Sequence, residues 1–231
     1  MSWQSNSVIQ QVRRITRRFG INSLVARILL GKGYEARYDR DLSSLIRSGD
    51  IVWDIGANQG MYTTVFSQAV GRTGHVYAFE PSEKNYTYLS DATKTCTNVT
   101  LCPFGLADRD GEAWFAQGED NLGATSRISE KRDDTNRIEI RSGDALIKAG
   151  AFRPPNVVKV DVEGFETEVL RGLSESLRNT ETRAVGVEVH FGILEERGQS
   201  NAAKQIEKML CESGFQLKWS DPSHLVATRA T

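Results

Sequence analysis

The sequence has few cysteines, few prolines, no long apolar run and no excess of one charge, and these absences exclude several protein classes. Its three cysteines, Cys96, Cys102 and Cys211, form no CxxC pair, which argues against a disulfide framework or a thiolate zinc site and favours a reducing, cytoplasmic setting. The best N-terminal apolar run is short and contains Arg27, so we expect no stable membrane insertion. Lys and Arg total 29 against 30 Asp and Glu, which disfavours nucleic acid as a partner.

The N-terminal segment carries a basic helical pattern that differs from the rest of the chain. Four arginines alternate with apolar residues over 12–19, and we predict an N-terminal helical extension over 1–40 before a single domain over 41–231. This helix could cap the domain or pack on a second copy as a homodimer. A lip for an anionic substrate and a contact with a membrane surface are the less favoured alternatives.

From residue 49 onward, short apolar runs alternate with helical stretches, a pattern typical of a parallel sheet covered on both faces. The predicted strands are 50–56, 75–81, 98–105, 156–164 and 184–190. Between the third and fourth strands, a polar segment predicts an edge hairpin insertion over 111–143 that could cover an active site. The last helix stops at Gly214, and two short runs predict a terminal antiparallel hairpin. One doubly wound α/β domain is the simplest architecture that fits.

The segment Asp54-Ile-Gly-Ala-Asn-Gln-Gly60 ends the first strand and opens a helix, at the sheet edge where doubly wound folds bind ligands. Gly56 and Gly60 allow a tight turn and a close backbone approach. Glu80 ends the second strand and is placed to accept hydrogen bonds from ribose hydroxyls. A loop of the NAD type needs glycine beside the pyrophosphate, where this chain has Asn58. The loop therefore favours S-adenosylmethionine, which carries no phosphate, over NAD or a structural turn.

Five segments in this order, DIGANQG, AFEP, NVTLCPFGLAD, VVKVDVEGFETEVLRGL and VEVH, resemble the FkbM family of S-adenosylmethionine-dependent methyltransferases. The resemblance implies the class I (Rossmann-like) methyltransferase fold with a mostly parallel seven-stranded sheet. It also implies S-adenosylmethionine as donor and O-methylation of a hydroxyl on a saccharide or natural-product small molecule. The cofactor-binding residues that it implies are Asp54, Gly56, Asn58, Gly60 and Glu80.

Other acidic positions have both a functional and a structural interpretation. Asp108 follows the third strand, where this fold brings backbone and a polar side chain to the adenine ring, but it could equally start a turn. For Asp144 we favour helix capping, by its own side chain or by that of Ser142. Glu166 and Glu168 fall in the first turns of a helix, where the helix dipole explains them.

The fourth and fifth strands carry the predicted catalytic residues to their carboxyl ends. Alternation places Asp161 and Glu163 on one face of the fourth strand, and Glu188 and His190 on one face of the fifth. His190 is the predicted general base, because the usual histidine pKa of ~6.5 is close to physiological pH. Glu188 or Asp161 could orient its ring or stabilise the imidazolium. A salt bridge for Asp161 and a backbone-bonded strand-end histidine are the structural alternatives.

The same residues leave a metal site and other activities open. Asp161, Glu188 and His190 could hold a divalent ion, but no ligand spacing enforces this, so we predict no metal ligand. The predicted activity is S-adenosylmethionine-dependent O-methylation. An N- or C-methyltransferase on the same fold and a non-catalytic dimerisation module are the alternatives, since the fold alone does not define the reaction.

Overall fold

The computed structural model describes residues 36–116, 127–129 and 135–229. The predicted basic helix over 12–19 lies outside these residues, so its packing and the homodimer stay predictions. In chain order the strands are β1 (Ile51–Ile55), β2 (His75–Phe79), β3 (Val99–Cys102), β4 (Gly105–Ala107), β5 (Gly111–Ala116), β6 (Arg127–Ser129), β7 (Thr135–Ser142), β8 (Val157–Val160), β9 (Ala184–Glu188), β10 (Gln216–Trp219) and β11 (His224–Thr228). The helices are α1 (Ala36–Ser43), α2 (Met61–Val70), α3 (Glu83–Thr93), α4 (Gly143–Lys148), α5 (Glu166–Gly172), α6 (Phe191–Glu196) and α7 (Ala202–Glu212), with a 3-10 turn over Ser176–Arg178.

Seven strands form one sheet in the order β10-β11-β9-β8-β1-β2-β3. Strands β1, β2, β3, β8 and β9 run parallel, whereas β11 is antiparallel to both β9 and β10. The predicted fold class, a mostly parallel seven-stranded sheet with a C-terminal antiparallel hairpin, is confirmed. Strand order reverses between β1 and β8, and ligands of doubly wound sheets bind at such a reversal.

The sheet is buried on both faces, as its central apolar strands require. On one face, Trp53 packs against Phe79, with Leu170 of α5 in the same cluster. On the other face, Val52 packs with Phe66 of α2 in a second cluster, which also includes Tyr38 of α1. Helix α1 crosses the predicted boundary at residue 40, and Tyr38 of the predicted extension is part of the core.

A second sheet lies beside the first, in the order β4-β7-β5-β6. Strands β5 and β7 pair antiparallel within the predicted hairpin insertion over 111–143. The structure adds β4, which runs parallel to β7, so the segment is a small sheet rather than a bare hairpin. A methyl group at Gly172 of α5 would lie 1.9 Å from the carbonyl oxygen of Ala107, so α5 packs closely against β4.

Side-chain caps fix two helix starts and one turn. The Oγ atoms of Ser82 and Ser142 accept hydrogen bonds at the starts of α3 and α4. Asp144 instead accepts hydrogen bonds from Glu175 and Ser176, at the 3-10 turn. The capping prediction is therefore confirmed for Ser142, whereas Asp144 has a structural role at the 3-10 turn and does not cap its own helix. Among the helices in the described ranges, none combines the length and apolar character of a bilayer span.

Candidate functional site

The loop between β1 and α2 lies at the point where strand order reverses. Gly56, Asn58 and Gly60 have φ values of 78°, 50° and 86°, in the left-handed region. A Cβ atom at Gly56 would lie 1.8 Å from the carbonyl oxygen of Asp161. Only glycine allows this approach, so the loop contacts the end of β8 directly.

Glu80 holds this loop through backbone hydrogen bonds. Its Oε2 accepts from the amide of Asn58 at 2.8 Å, and its Oε1 accepts from the amide of Ser82 at 2.8 Å. Burial raises the pKa of Glu80 to about 7. The Oδ1 atom of Asn58 is buried and has no hydrogen-bond partner among the described residues. The loop therefore presents an acidic group and an unpartnered acceptor.

Asp54 lies beneath the loop rather than in it. Its side chain is fully buried, and Oδ2 accepts a hydrogen bond from Thr63 at 2.6 Å. The ammonium of Lys159, on the neighbouring strand, lies 3.2 Å from Asp54 Oδ1 and donates to the carbonyl of Gly56 at 3.0 Å. It also lies 3.5 Å from Asp161 Oδ2. The structure thus gives Asp54 a contact with the loop through Lys159, and its role in cofactor binding stays a prediction.

The predicted catalytic residues come together around His190. Its Nδ1 lies 2.6 Å from Oε1 of Glu166, which is fully buried. Its Nε2 lies 3.4 Å from Glu163 Oε2, 3.7 Å from Asp161 Oδ1 and 3.8 Å from Glu188 Oε1. We call Asp161, Glu163, Glu166, Glu188 and His190 the His190 cluster. Its atoms lie at the carboxyl ends of β8 and β9, next to the loop.

Mutual charges shift the pKa values within the cluster. Burial alone would lower the pKa of His190, but the charges of Glu163 and Glu188 and the hydrogen bond with Glu166 raise it well above its usual value. Burial raises the pKa of Glu163 to about 8. The role of His190 as general base stays a prediction.

A second histidine supports the cluster from the C-terminal hairpin. His224 Nε2 lies 3.3 Å from Glu188 Oε2, and its Nδ1 lies 2.9 Å from Asp221 Oδ1. Burial would lower the pKa of His224, but its hydrogen bonds with Asp221 and Glu188 raise it to about 10. Burial would raise the pKa of Glu188, but the charges of His190 and His224 hold it at about 2. Glu188 is thus kept ionised between two imidazoles.

Asp108 lies after β4, away from the His190 cluster. Its carboxylate pairs with Arg109 at 3.4 Å and is partly exposed. Two residues later, Asp110 accepts a hydrogen bond from the amide of Ser142 at 2.7 Å, at the end of β7. The adenine contact of Asp108 stays a prediction.

Sequence analysis missed four residues of this site. Lys159 is the one charge in an otherwise apolar strand, and alternation places it on the face of Asp161, which is a usable signal. Glu163 was placed on the correct face without a role. Glu166 has a sufficient local explanation in the helix dipole, and His224 lies 34 residues after His190, so neither contact has a signal in sequence spacing.

Comparisons with known proteins point to one family. A family model described as the methyltransferase FkbM domain matches residues 54–217. The hexuronic acid methyltransferase AglP of Haloferax volcanii is 31% identical over 165 residues, which cover 71% of this chain and 62% of the relative. The chain thus matches less than two thirds of the length of that curated relative.

Solved structures with a similar fold include two methyltransferases. The methyltransferase FkbM of Methylobacillus flagellatus KT has a TM-score of 0.55 and 13% identity, over 78% of this chain and 43% of that one. A Streptococcus mutans protein described as a methyltransferase, in complex with SAH, has a TM-score of 0.51 and 13% identity, over 84% and 96% of the two chains. At these identities the likeness shows the fold.

Proposed function

Because the chain belongs to the methyltransferase FkbM domain family, we propose that it transfers a methyl group from S-adenosylmethionine to a hydroxyl of a saccharide or related natural-product small molecule. The observation that carries this proposal is the contact between the loop and the cluster. Gly56 lies so close to the carbonyl of Asp161 that a Cβ atom would clash at 1.8 Å. A molecule held by the loop therefore lies beside the carboxylates and imidazole of the cluster.

The residues of the loop fit S-adenosylmethionine. Glu80 has a carboxylate whose oxygens each accept one backbone hydrogen bond and have a further lone pair for a ribose hydroxyl. The buried Oδ1 of Asn58 has no partner among the described residues and can accept a hydrogen bond from an ammonium group. When bound, S-adenosylmethionine supplies a methyl group activated by the sulfonium sulfur.

The His190 cluster is the proposed acceptor side of the reaction. Methyl transfer is an in-line displacement, so the site must align the acceptor oxygen with the methyl carbon and exclude water. As the new C–O bond forms, the hydroxyl must lose its proton. His190, Asp161 and Glu188 are the proposed groups that orient the hydroxyl and receive this proton.

The likeness to the hexuronic acid methyltransferase of Haloferax volcanii supports a sugar acid as one acceptor to test. The full chain is incubated with methyl-labelled S-adenosylmethionine and either a glucuronic acid glycoside or the matched neutral glucoside. We expect the label in the saccharide as an ether, which resists mild alkali. Label in an alkali-labile ester would contradict hydroxyl methylation. Binding of S-adenosylmethionine without transfer to any saccharide in a glycan extract would favour a non-catalytic module.

A further inference from the structure

We propose that Asp161, Glu163 and His190 bind a divalent cation whose remaining coordination positions face the acceptor. The ligand atoms of these three side chains all lie within 4.8 Å of one another. The sequence left Asp161, Glu188 and His190 as a conceivable metal site and assigned no metal ligand, because no ligand spacing enforces one. Cation binding itself is independent of the proposed function, whereas the role of the cation toward the acceptor rests on it.

The orientation of His190 is that of a metal ligand. Its Nδ1 faces Oε1 of the buried Glu166 at 2.6 Å. A metal-binding histidine usually donates its other ring N–H to a carboxylate, which fixes the tautomer and raises the basicity of the ligating nitrogen. With the proton on Nδ1, the lone pair on Nε2 faces the oxygens of Asp161 and Glu163. These lone pairs repel one another, and a cation bound between them would attract each of the three atoms.

The distances around Nε2 fit a coordination shell better than hydrogen bonds. Nε2 lies 3.4 Å from Glu163 Oε2 and 3.7 Å from Asp161 Oδ1. A charge-assisted N–H···O hydrogen bond would measure about 2.7–2.9 Å. Two ligand atoms that lie about 2.1–2.4 Å from one cation, about 90–110° apart, are about 3.0–3.9 Å from each other. The observed separations fall in that range.

The second oxygens of the carboxylates are held by groups outside the shell. Asp161 directs Oδ2 toward Lys159 at 3.5 Å, and Lys159 lies closer still to Asp54, at 3.2 Å. Glu188 directs Oε2 toward His224 at 3.3 Å and leaves Oε1 3.8 Å from His190 Nε2. These contacts fix the other oxygen of each carboxylate, Asp161 Oδ1 and Glu188 Oε1, near Nε2 of His190. Metal ligands are commonly held in position by such second contacts.

The cluster also has more negative than positive charge. Lys159 is matched by Asp54 and His224 by Asp221. The carboxylates that remain around one imidazole are those of Asp161, Glu166 and Glu188, with the carboxyl group of Glu163 beside them. Mostly buried carboxylates need pairing or a metal ion, and one imidazolium matches only one of them. A divalent cation beside a neutral imidazole supplies the larger counter-charge.

Tyr38 gives independent evidence for a ligand at this place. Its ring stacks on His224 at 4.4 Å, and its hydroxyl lies over Gly186, where a Cβ atom would be 2.6 Å away, on the face of the sheet that carries Glu188. Burial, followed by the charges of Asp161 and Glu188, raises the pKa of Tyr38. This buried hydroxyl has no hydrogen-bond partner among the described residues. Such a group usually has a partner, and a water molecule bound to the cation would provide one.

The donor set indicates the class of cation and of acceptor. Two carboxylate oxygens and one imidazole nitrogen suit Mn²⁺ and similar divalent ions, and three protein ligands leave the rest of the shell to water or substrate. An acceptor with two adjacent oxygens, such as a vicinal diol or a hydroxy acid, could fill two of these positions. The cation would then lower the pKa of the bound hydroxyl and align it for transfer. With Nε2 of His190 bound to the cation, the hydroxyl proton would pass to a neighbouring carboxylate instead of to His190.

Mn²⁺ binding tests the inference without cofactor or acceptor. The chelator-treated full chain is titrated with MnCl₂ while the electron paramagnetic resonance signal of free Mn²⁺ is followed. We expect one ion per chain, at least about tenfold weaker binding in Glu163→Gln, and wild-type binding in Glu181→Gln, an exposed matched control far from the cluster. The inference is overturned if the folded wild-type chain binds no Mn²⁺ at millimolar concentration, or if Glu163→Gln binds it equally well.

A measurement on the wild-type chain covers the case in which Glu163→Gln does not fold. Spin-echo modulation detects a nitrogen nucleus bound directly to Mn²⁺, and the chain has only three histidines. We expect modulation from one imidazole nitrogen. His75→Gln should retain this modulation, because His75 lies at the start of β2, whereas the cluster lies at the carboxyl ends of β8 and β9. Mn²⁺ bound without a nitrogen ligand would overturn the assignment.

Calorimetry separates this inference from the proposed function. S-adenosylmethionine is titrated into the chain in the presence of EDTA, and we expect wild type and Glu163→Gln to bind it equally. Absence of this binding would overturn the proposed function and leave the Mn²⁺ result unaffected. Conversely, S-adenosylmethionine binding without any Mn²⁺ binding would overturn only the cation site.

Discussion

Glu80 shows how one buried side chain can hold a loop and sense pH. It accepts hydrogen bonds from the amides of Asn58 and Ser82, and it is 5% exposed. The two hydrogen bonds and the charge of Lys159 favour its ionised form, but burial outweighs them and raises its pKa to about 7. Near neutral pH both protonation states of Glu80 are therefore populated.

We expect the affinity for S-adenosylmethionine to fall as pH falls below 7. In the proposed contact, two ribose hydroxyls donate to an ionised carboxylate, so a protonated Glu80 would have to lose its proton before binding. The affinity should be constant well above pH 7 and decrease by up to about tenfold per pH unit below it. Calorimetry between pH 6 and pH 8 measures this dependence.

Two variants serve as the controls for Glu80. Glu80→Ala should bind S-adenosylmethionine at least about tenfold more weakly at pH 8 and lose the pH dependence, because charge-assisted hydrogen bonds contribute about 1.5–3 kcal/mol. Glu83→Gln, on the exposed side of α3, should behave as wild type. Unchanged affinity in a folded Glu80→Ala protein would contradict the ribose contact.

At the scale of elements, α5 connects the two sheets at a point with no spare volume. A Cβ atom at Gly172, the last residue of α5, would lie 1.9 Å from the carbonyl oxygen of Ala107 in β4. The same helix begins with Glu166, the partner of His190. The position of α5 therefore determines both the packing of the second sheet and the orientation of the imidazole.

Gly172→Ala should destabilise the protein, because the added methyl group must displace backbone. Overpacking of this kind costs about 1–3 kcal/mol. Urea denaturation measures the free energy of unfolding. The control is Gly192→Ala in α6, where a Cβ atom would have no neighbour within 4 Å, so the variant should be neutral or stabilised by up to about 1 kcal/mol. Equal stability of both variants would show that α5 and β4 are not tightly packed.

The strands were predictable from sequence where burial on both faces leaves long apolar runs, as in β1, β2, β8 and β9. The three-residue strand β4 was not, since Gly105–Ala107 has no periodicity to detect and depends on pairing with β7, more than 30 residues later. The same limit applies to the site. Alternation placed Asp161, Glu188 and His190 together, whereas the contact of Glu166 with His190 depends on how α5 packs.

At the scale of the whole molecule, His224 ties the C-terminal hairpin to the site. It lies at the start of β11, is 2% exposed, and contacts Asp221 and Glu188. The charges of His190 and Lys159 also act on Glu188, and Asp161 interacts electrostatically with both Glu188 and His224. The ring of Tyr38 stacks on that of His224. The ion pairs of His224 raise its pKa from 6.5 to about 10. Folding therefore favours the protonated histidine.

The contribution of His224 to stability should be present in full below pH 6.5 and disappear as pH rises through about 10. His224→Gln should lower the free energy of unfolding by about 3 kcal/mol at pH 6. The reason is that it removes the imidazolium that pairs with the buried carboxylates of Asp221 and Glu188. This difference from wild type should shrink by pH 10, as followed by urea denaturation at several pH values.

His75→Gln is the control for this pH dependence. Burial lowers the pKa of His75, so its contribution has the opposite sign and does not decline between pH 7 and pH 10. A constant difference between wild type and His224→Gln over that range would show that the protonated form of His224 does not stabilise the fold.

Lys159 makes the two halves of the site energetically dependent on each other. Its ammonium contacts the carbonyl of Gly56 on one side and Asp161 on the other. A molecule that shifts the loop also shifts the ammonium of Lys159 next to Asp161. A molecule that binds Asp161 changes the contact between Lys159 and the loop. Because binding free energies are reciprocal, any factor by which the donor changes acceptor affinity is the factor by which the acceptor changes donor affinity. We therefore expect the buried lysine to couple the binding of the proposed donor to that of the proposed acceptor.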